Sequence, residues 1–317
     1  MAYLFAIAAI TFGTIKGYCG KKTSTCMRDT GDAFLFNLTR MLLCILIGLV
    51  PLAFDNAWGS LAPDLGMLGI CFLAGLANMS FLVCWILAIR KNTMVTVDVT
   101  LTVGSIIPAV LCAILFHEAI LWQKMVGFAL IILASLILSG YNKSAKGNPG
   151  FSGIVFLLLA AVGEGMVSFS QQLYKQYYSG AEGSLGTTAY PMSVYHFYTY
   201  VFSGTMLLAF FVIYQLVCYK KAPADAKPRL GDVLISIKRP FWYIVVMAIC
   251  LFAANYCQTI ATSTYGMPSQ ILYPLLKAGC LITVNIVAMV FFGEKITKRS
   301  VLGSLVAIGG IVVMNVF

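Results

Sequence analysis

Residues 116–127 read FHEAILWQKMVG, and residues 292–303 read FGEKITKRSVLG. In each, a phenylalanine closes one apolar run, a glutamate follows two positions later, and a glycine sits in the next apolar run. A shift of 176 places Phe116, Glu118, Gly127 and Ile132 on Phe292, Glu294, Gly303 and Ile308. The pattern reads as the end of one structural unit, written twice. Near the start of each unit, a shift of 150 places Gly13 on Gly163 and sets Thr14 against Glu164.

Working outward, apolar runs recur at 1–18, 31–54, 65–89, 94–116, 119–140, 150–178, 189–219, 240–265, 268–292 and 297–317. About 20 residues cross a hydrocarbon core as a helix. The chain is 60% hydrophobic and only 10% charged, with a mean hydropathy of +0.91. A soluble domain carries about 25% charged residues, so a bilayer, not a soluble core, accounts for this surface. Backbone donors and acceptors must pair within each span, which makes helices the default. The expected fold is an all-α, polytopic membrane protein of ten transmembrane helices. It divides into a first five-helix repeat, 1–148, and a second, 149–317. An odd number of spans per repeat turns the second copy over. Inverted repeats of this kind characterise secondary transporters, whose site lies near the midplane. Met1 opens almost directly on the first span with no basic stretch before it, so no cleavable signal is expected.

Charge orients the spans. The loops between spans 1–2, 3–4, 5–6, 7–8 and 9–10, taken with Lys298 and Arg299 at the very start of span 10, hold 16 of the 21 basic residues. The opposite loops hold none, but carry Asp55, Asp64, Glu118 and Glu182. Short basic loops stay cytoplasmic, so both termini are expected outside, in a bacterial inner (plasma) membrane. The net charge of +10 follows from these turns, and nucleic-acid binding is not expected. The ten cysteines are scattered without a CxxC pair and read as small buried apolar residues.

The remaining basic residues are Lys16, Arg40, Lys124, Lys175 and Lys277. Lys16, Lys124 and Lys175 lie toward span ends, from which a long side chain reaches water. Arg40 and Lys277 lie deeper. A charge at the bilayer centre costs about 2.5–3.5 kcal/mol on the insertion scale, so it faces a cavity or a partner. Glu164 is the deep acid, and Asp98 lies nearer an end. The economical arrangement pairs Glu164 with Lys277 or Arg40 across a cavity between the halves. Two readings of Glu164 stand: a fixed ion-pair partner, or a group that exchanges a proton or a cationic substrate during transport. Two deep bases against one acid favour a solute with a carboxylate or phosphate.

Glu118 and Glu294 precede helices and suit the positive N-terminal ends. His196 lies in the aromatic run YHFYTY and can donate, accept or take a proton. Its neighbours Tyr195, Tyr198 and Tyr200 read mainly as packing. Asn78, Asn255, Gln171, Gln258 and Asn285 suit hydrogen bonds between helices or a lining role. Pro108, Pro268 and Pro274 free backbone groups and can kink the spans. The candidate substrate or coupling residues are Glu164, Lys277, Arg40, His196, Tyr195, Asn255 and Gln171.

A resemblance adds to this reading. ILAIRKNTMVTVDVTLTVGSIIPAVLCAILFHEAILWQKMVG in the first half and SQILYPLLKAGCLITVNIVAMVFFGEKITKRSVLG in the second are similar to paired EamA-type domains of the drug/metabolite transporter superfamily. That resemblance implies a ten-span transporter with alternating access and no particular substrate. Members are often drawn with cytoplasmic termini, which this charge pattern reverses. LAAVGEGMVSFSQQLYK is similar to the first span of the small multidrug resistance proteins. There, a glutamate in this setting binds protons and cations in exchange.

Enzymatic chemistry finds little footing. His117 and His196 are the only histidines, Asp98 is the one intramembrane Asp, and no GxxxxGK[ST] loop occurs. The expected partners are a small-molecule substrate and membrane lipids, with protons as the candidate coupling ion. No cofactor or metal is expected. A lipid flippase on the same fold is the alternative, with Arg40 and Lys277 at a head group. A non-transporting scaffold or receptor is the third.

Overall fold

A computed structural model of the chain describes every residue except 105, 117–121, 147–149, 181–184, 187, 222–234, 268, 294–296 and 317. His117, Glu118, Glu182, Pro268 and Glu294 therefore lie outside the described residues, as do the side chains of Lys124 and Pro274.

The described chain is helical throughout, with no strand. The helices are α1 (Ala2–Thr25), α2 (Thr30–Phe54), α3 (Leu65–Lys91), α4 (Met94–Gly104), α5 (Ile106–Phe116) and α6 (Trp122–Lys146). They continue as α7 (Gly150–Tyr178), α8 (Met192–Lys221), α9 (Phe241–Thr259), α10 (Ser269–Phe292) and α11 (Lys298–Val316). A π-turn, Ile260–Thr264, extends α9. Among the described residues, eight segments are long and apolar enough to cross a membrane. They comprise α1, α2, α3, α4 with α5, α7, α8, α9 with its π-turn, and α10 from Leu275. The apolar part of α6 is shorter, Met125–Leu138, and α11 is not among the eight. The molecule is an all-helical integral membrane protein.

Local chemistry sets several boundaries. Asp29 caps α2 by accepting from the Asp32 N–H at 2.9 Å, and Asp64 caps α3 by accepting from the Met67 N–H at 2.7 Å. The first helix corrects the sequence expectation of 1–18. It runs on to Thr25 and carries Lys21 and Lys22 in its last two turns, not in a loop. Lysine is a good helix former and suits a C-terminal turn. Lys21 also donates to the carbonyls of Ile89 and Asn92, both at 3.3 Å, tying α1 to the end of α3.

Hydrogen bonds sort the turns into two ends. Lys21 meets Asn92, Arg90 donates to the Arg28 carbonyl at 3.0 Å, and Lys91 donates to Ser152 at 2.5 Å. The turns after α1 and α3 and the first residues of α7 thus share one end, which is the basic one. At the other end, the Asp64 N–H donates to the Tyr190 hydroxyl at 3.0 Å, and the Tyr198 hydroxyl donates to the Leu61 carbonyl at 2.5 Å.

Several helix contacts repeat when residues 1–148 are set against 149–317. Let α1, α2, α3, α4/α5 and α6 correspond to α7, α8, α9, α10 and α11. The contact of α3 with α7 then answers that of α9 with α1, and α3 with α8 answers α9 with α2. The contact of α7 with α4 and α5 answers that of α1 with α10. Three contacts map onto themselves: α2 with α8, α4 with α10, and α6 with α11.

Glycines set how closely α7 approaches its neighbours. A Cβ on Gly163 would stand 2.7 Å from the Phe81 amide nitrogen on α3. One on Gly165 would overlap the Gly104 carbonyl oxygen on α4. Small residues permit such backbone approach between membrane helices. They hold Glu164, which lies between them, at a fixed depth.

Candidate functional site

A cavity of about 100 Å³ lies among six helices. The first half contributes α1 (Gly13, Lys16, Gly17), α3 (Asn78, Phe81, Trp85) and α4 (Asp98, Leu101, Thr102). The second contributes α7 (Glu164, Ser168, Gln171), α9 (Asn255, Gln258) and α10 (Tyr273, Lys277, Cys280). These helices are three corresponding pairs: α1 with α7, α3 with α9, and α4 with α10.

Glu164 Oε1 stands 2.5 Å from Lys277 Nζ, which settles the choice between Lys277 and Arg40 as its partner. Both side chains are about one-fifth exposed, on the cavity wall. Glu164 Oε2 is buried and finds no partner among the described residues. The pair joins α7 to α10, both within 149–317.

Lys16 is the lining residue that sequence reasoning misassigned. Its ammonium lies 5.4 Å from the Phe81 ring centroid and 5.6 Å from that of Trp85. No carboxylate comes within 4 Å of it among the described residues. Such a cation–π contact contributes about 0.5–1 kcal/mol when exposed and about 2 when desolvated. Lys16 appeared to be near a span end only because α1 was drawn too short. Gly13 and Gly17, one turn apart beside it, were the available signal.

The other candidates divide. Gln171 and Asn255 line the cavity and are also held by neighbours. The Tyr273 hydroxyl donates to Gln171 Oε1 at 2.8 Å, and Asn255 donates to the Tyr200 hydroxyl at 3.1 Å. Asn78 and Gln258, read as helix-joining or lining amides, line it as well. Arg40, Tyr195 and His196 are not among its lining residues.

Arg40 is 1% exposed. One nitrogen bonds the Asn37 side chain, while Nε and Nη1 have no partner among the described residues. Its guanidinium carbon lies 5.8 Å from the Trp85 ring. Trp85 is therefore shared by a cavity lysine and a buried arginine. Tyr195 stacks on Tyr174 at 4.7 Å and meets the Ser170 hydroxyl at 3.0 Å. His196 Nε2 is 3.0 Å from the Thr259 hydroxyl oxygen. That hydroxyl also lies 3.0 Å from the Asn255 carbonyl, so Thr259 links the ring to the backbone of α9. His196 packs amid Tyr195, Tyr200, Phe252 and Tyr256.

Among the described residues, no group of three or more His, Cys, Asp or Glu comes together to hold a metal.

No family model matches the chain, and no curated protein matches it. Solved structures do resemble it. One, described only as the crystal structure of a protein, superposes with a TM-score of 0.64. The match covers 99% of this chain and 97% of that one at 12% identity. At that identity the likeness is one of fold.

Proposed function

We propose that this protein is a secondary transporter that moves a small organic solute by alternating access, built as two inverted five-helix repeats at 1–148 and 149–317. The observation that carries the reading is the cavity wall, drawn from three corresponding pairs of helices with one member of each pair in either half. A site between repeats is where rocking of one repeat against the other exposes a solute to alternate sides. The contact pattern that repeats on exchanging halves supports the inverted duplication, and with it a count of ten spans. The paired F-x-E turns support a relationship to the drug/metabolite transporters.

The chemistry of the wall fits a polar organic solute. Four charged side chains stand among amides and hydroxyls, and apolar stretches complete the lining. Glu164 and Lys277 act as substrate or coupling residues in this reading. The basic end lies on the cytoplasmic side and both termini lie outside. A metabolite screen by thermal shift on purified protein tests the reading, because a ligand at about 100 times its Kd adds about 2.7 kcal/mol of stability. Hits that exchange across proteoliposome membranes support transport. Hits that bind and never cross favour a receptor.

A further inference from the structure

The cavity holds two lysines in different electrostatic states. Lys277 is met by Glu164 at 2.5 Å, so its charge is answered within the protein. Lys16 has the faces of Phe81 and Trp85 against its ammonium, and Glu164 acts on it only from a distance, with no carboxylate within 4 Å among the described residues. An ammonium has three donors and no acceptor, and ring faces satisfy its charge only in part. It is held in place by geometry. Gly17 and Gly20 follow it on α1, and a Cβ on Gly20 would overlap the Trp85 ring, so the indole rests on the bare backbone one turn beyond Lys16. Arg40 also lies 5.8 Å from that ring, which adds positive charge at this wall.

We infer that Lys16 anchors the anionic group of the transported solute, and that the solute class is an organic anion with an apolar body. This rests on the transport reading for its site and deepens it by naming the ligand chemistry. The carboxylate or phosphoryl group takes the ammonium's free donors. The adjoining body lies along Phe81 and Trp85, next to Leu101 and Leu281 of the same wall. Lys277 keeps Glu164 and is not the primary anchor.

The test uses the full-length protein in detergent and three matched probes: 3-phenylpropionate, 3-phenylpropanol and 3-phenylpropylamine. They share one body and differ in charge. Binding is followed by thermal shift and by tryptophan fluorescence in a W58F/W122F/W242F background, which leaves Trp85 as the reporter. The expected result is binding of the propionate, with the alcohol and the amine each at least tenfold weaker. Lys16→Met should weaken propionate binding at least tenfold and bring it level with the alcohol. Lys16→Arg, which keeps the charge, should restore most of it. If Lys16→Met proves too unstable to assay, Lys16→Gln and the wild-type probe ranking carry the test. An amine that binds best, or propionate affinity unchanged in Lys16→Met or Lys16→Gln, overturns the inference. The two readings fail separately. Anion binding at Lys16 with no flux sinks transport alone, and flux of neutral or cationic solutes with no anion preference sinks the anchor alone.

Discussion

Glu164 and Lys277 meet at 2.5 Å on the cavity wall, joining α7 to α10 within one half of the molecule. The corresponding residue in the first half is Thr14, whose hydroxyl lies 2.5 Å from that of Thr283. One half thus uses an ion pair to face α10, and the other half reaches the same helix through two hydroxyls. Removing one partner of a buried ion pair costs about 3–5 kcal/mol because a charge is stranded. Partial exposure to the cavity places this pair at the low end. Glu164→Gln and Lys277→Met are each expected to lower stability by about 3 kcal/mol. The double substitution should recover much of that loss. Thermal unfolding of the four proteins in one detergent checks it. Strictly additive losses would mean that the two residues do not interact.

Arg40 gives the opposite expectation. It is buried, bonded only at one nitrogen, and has no carboxylate within 4 Å among the described residues. Replacing buried charge with apolar side chains of similar volume is often neutral or stabilising by about 1–4 kcal/mol. Arg40→Met should melt at or above the wild-type temperature. A sharp drop in melting temperature would point to a counter-anion that makes the buried guanidinium stabilising.

Gly165 tests the close contact that fixes Glu164. A Cβ there would overlap the Gly104 carbonyl oxygen and stand 3.0 Å from Ile107. Overpacking of this kind costs about 1–3 kcal/mol. Gly69 on α3 is the control, since a Cβ there meets nothing within 4 Å, and alanine gains up to about 1 kcal/mol of helix propensity. Gly165→Ala should unfold at lower temperature than wild type, and Gly69→Ala at the same or higher temperature. Equal stability of both would mean that α4 and α7 are not so tightly apposed.

Much of the architecture was legible because hydrophobic run length is a direct signal for spanning helices, and α2, α3, α7 and α10 begin and end within a few residues of their expected places. The first span was drawn too short because Lys21 and Lys22 look like loop residues. In fact both lie in the last turns of α1, and Lys21 reaches the carbonyls of Ile89 and Asn92 at the end of α3. That error hid Lys16 as a cavity residue. The span expected at 94–116 is matched by α4 with α5, one membrane-length segment Met94–Phe116. Glu164 announced itself, since a carboxylate between two glycines in an apolar run demands a partner. Which cation served was not legible, because Arg40 and Lys277 look equally deep in sequence and only packing separates them.

The charge asymmetry of the loops predicts that both termini face outward. The turns after α1 and α3 and the start of α7 gather at one end through Lys21, Lys91 and Arg90, and basic turns mark the cytoplasmic side. An alkaline phosphatase fused after Phe317 should be active, and a fluorescent protein fused there should be dark. The reverse pattern would invert the orientation.

The central claim is that solute crosses the membrane through the cavity shared by the two halves. The most direct measurement is counterflow in proteoliposomes of a solute identified by binding, comparing wild type with Ser168→Trp. Ser168 lines the cavity on α7, and an indole there takes up its space without removing a charge. The account predicts saturable counterflow in wild type and its loss in Ser168→Trp protein that remains folded by thermal unfolding. Undiminished counterflow through folded Ser168→Trp, or none in wild type for any bound solute, would contradict it.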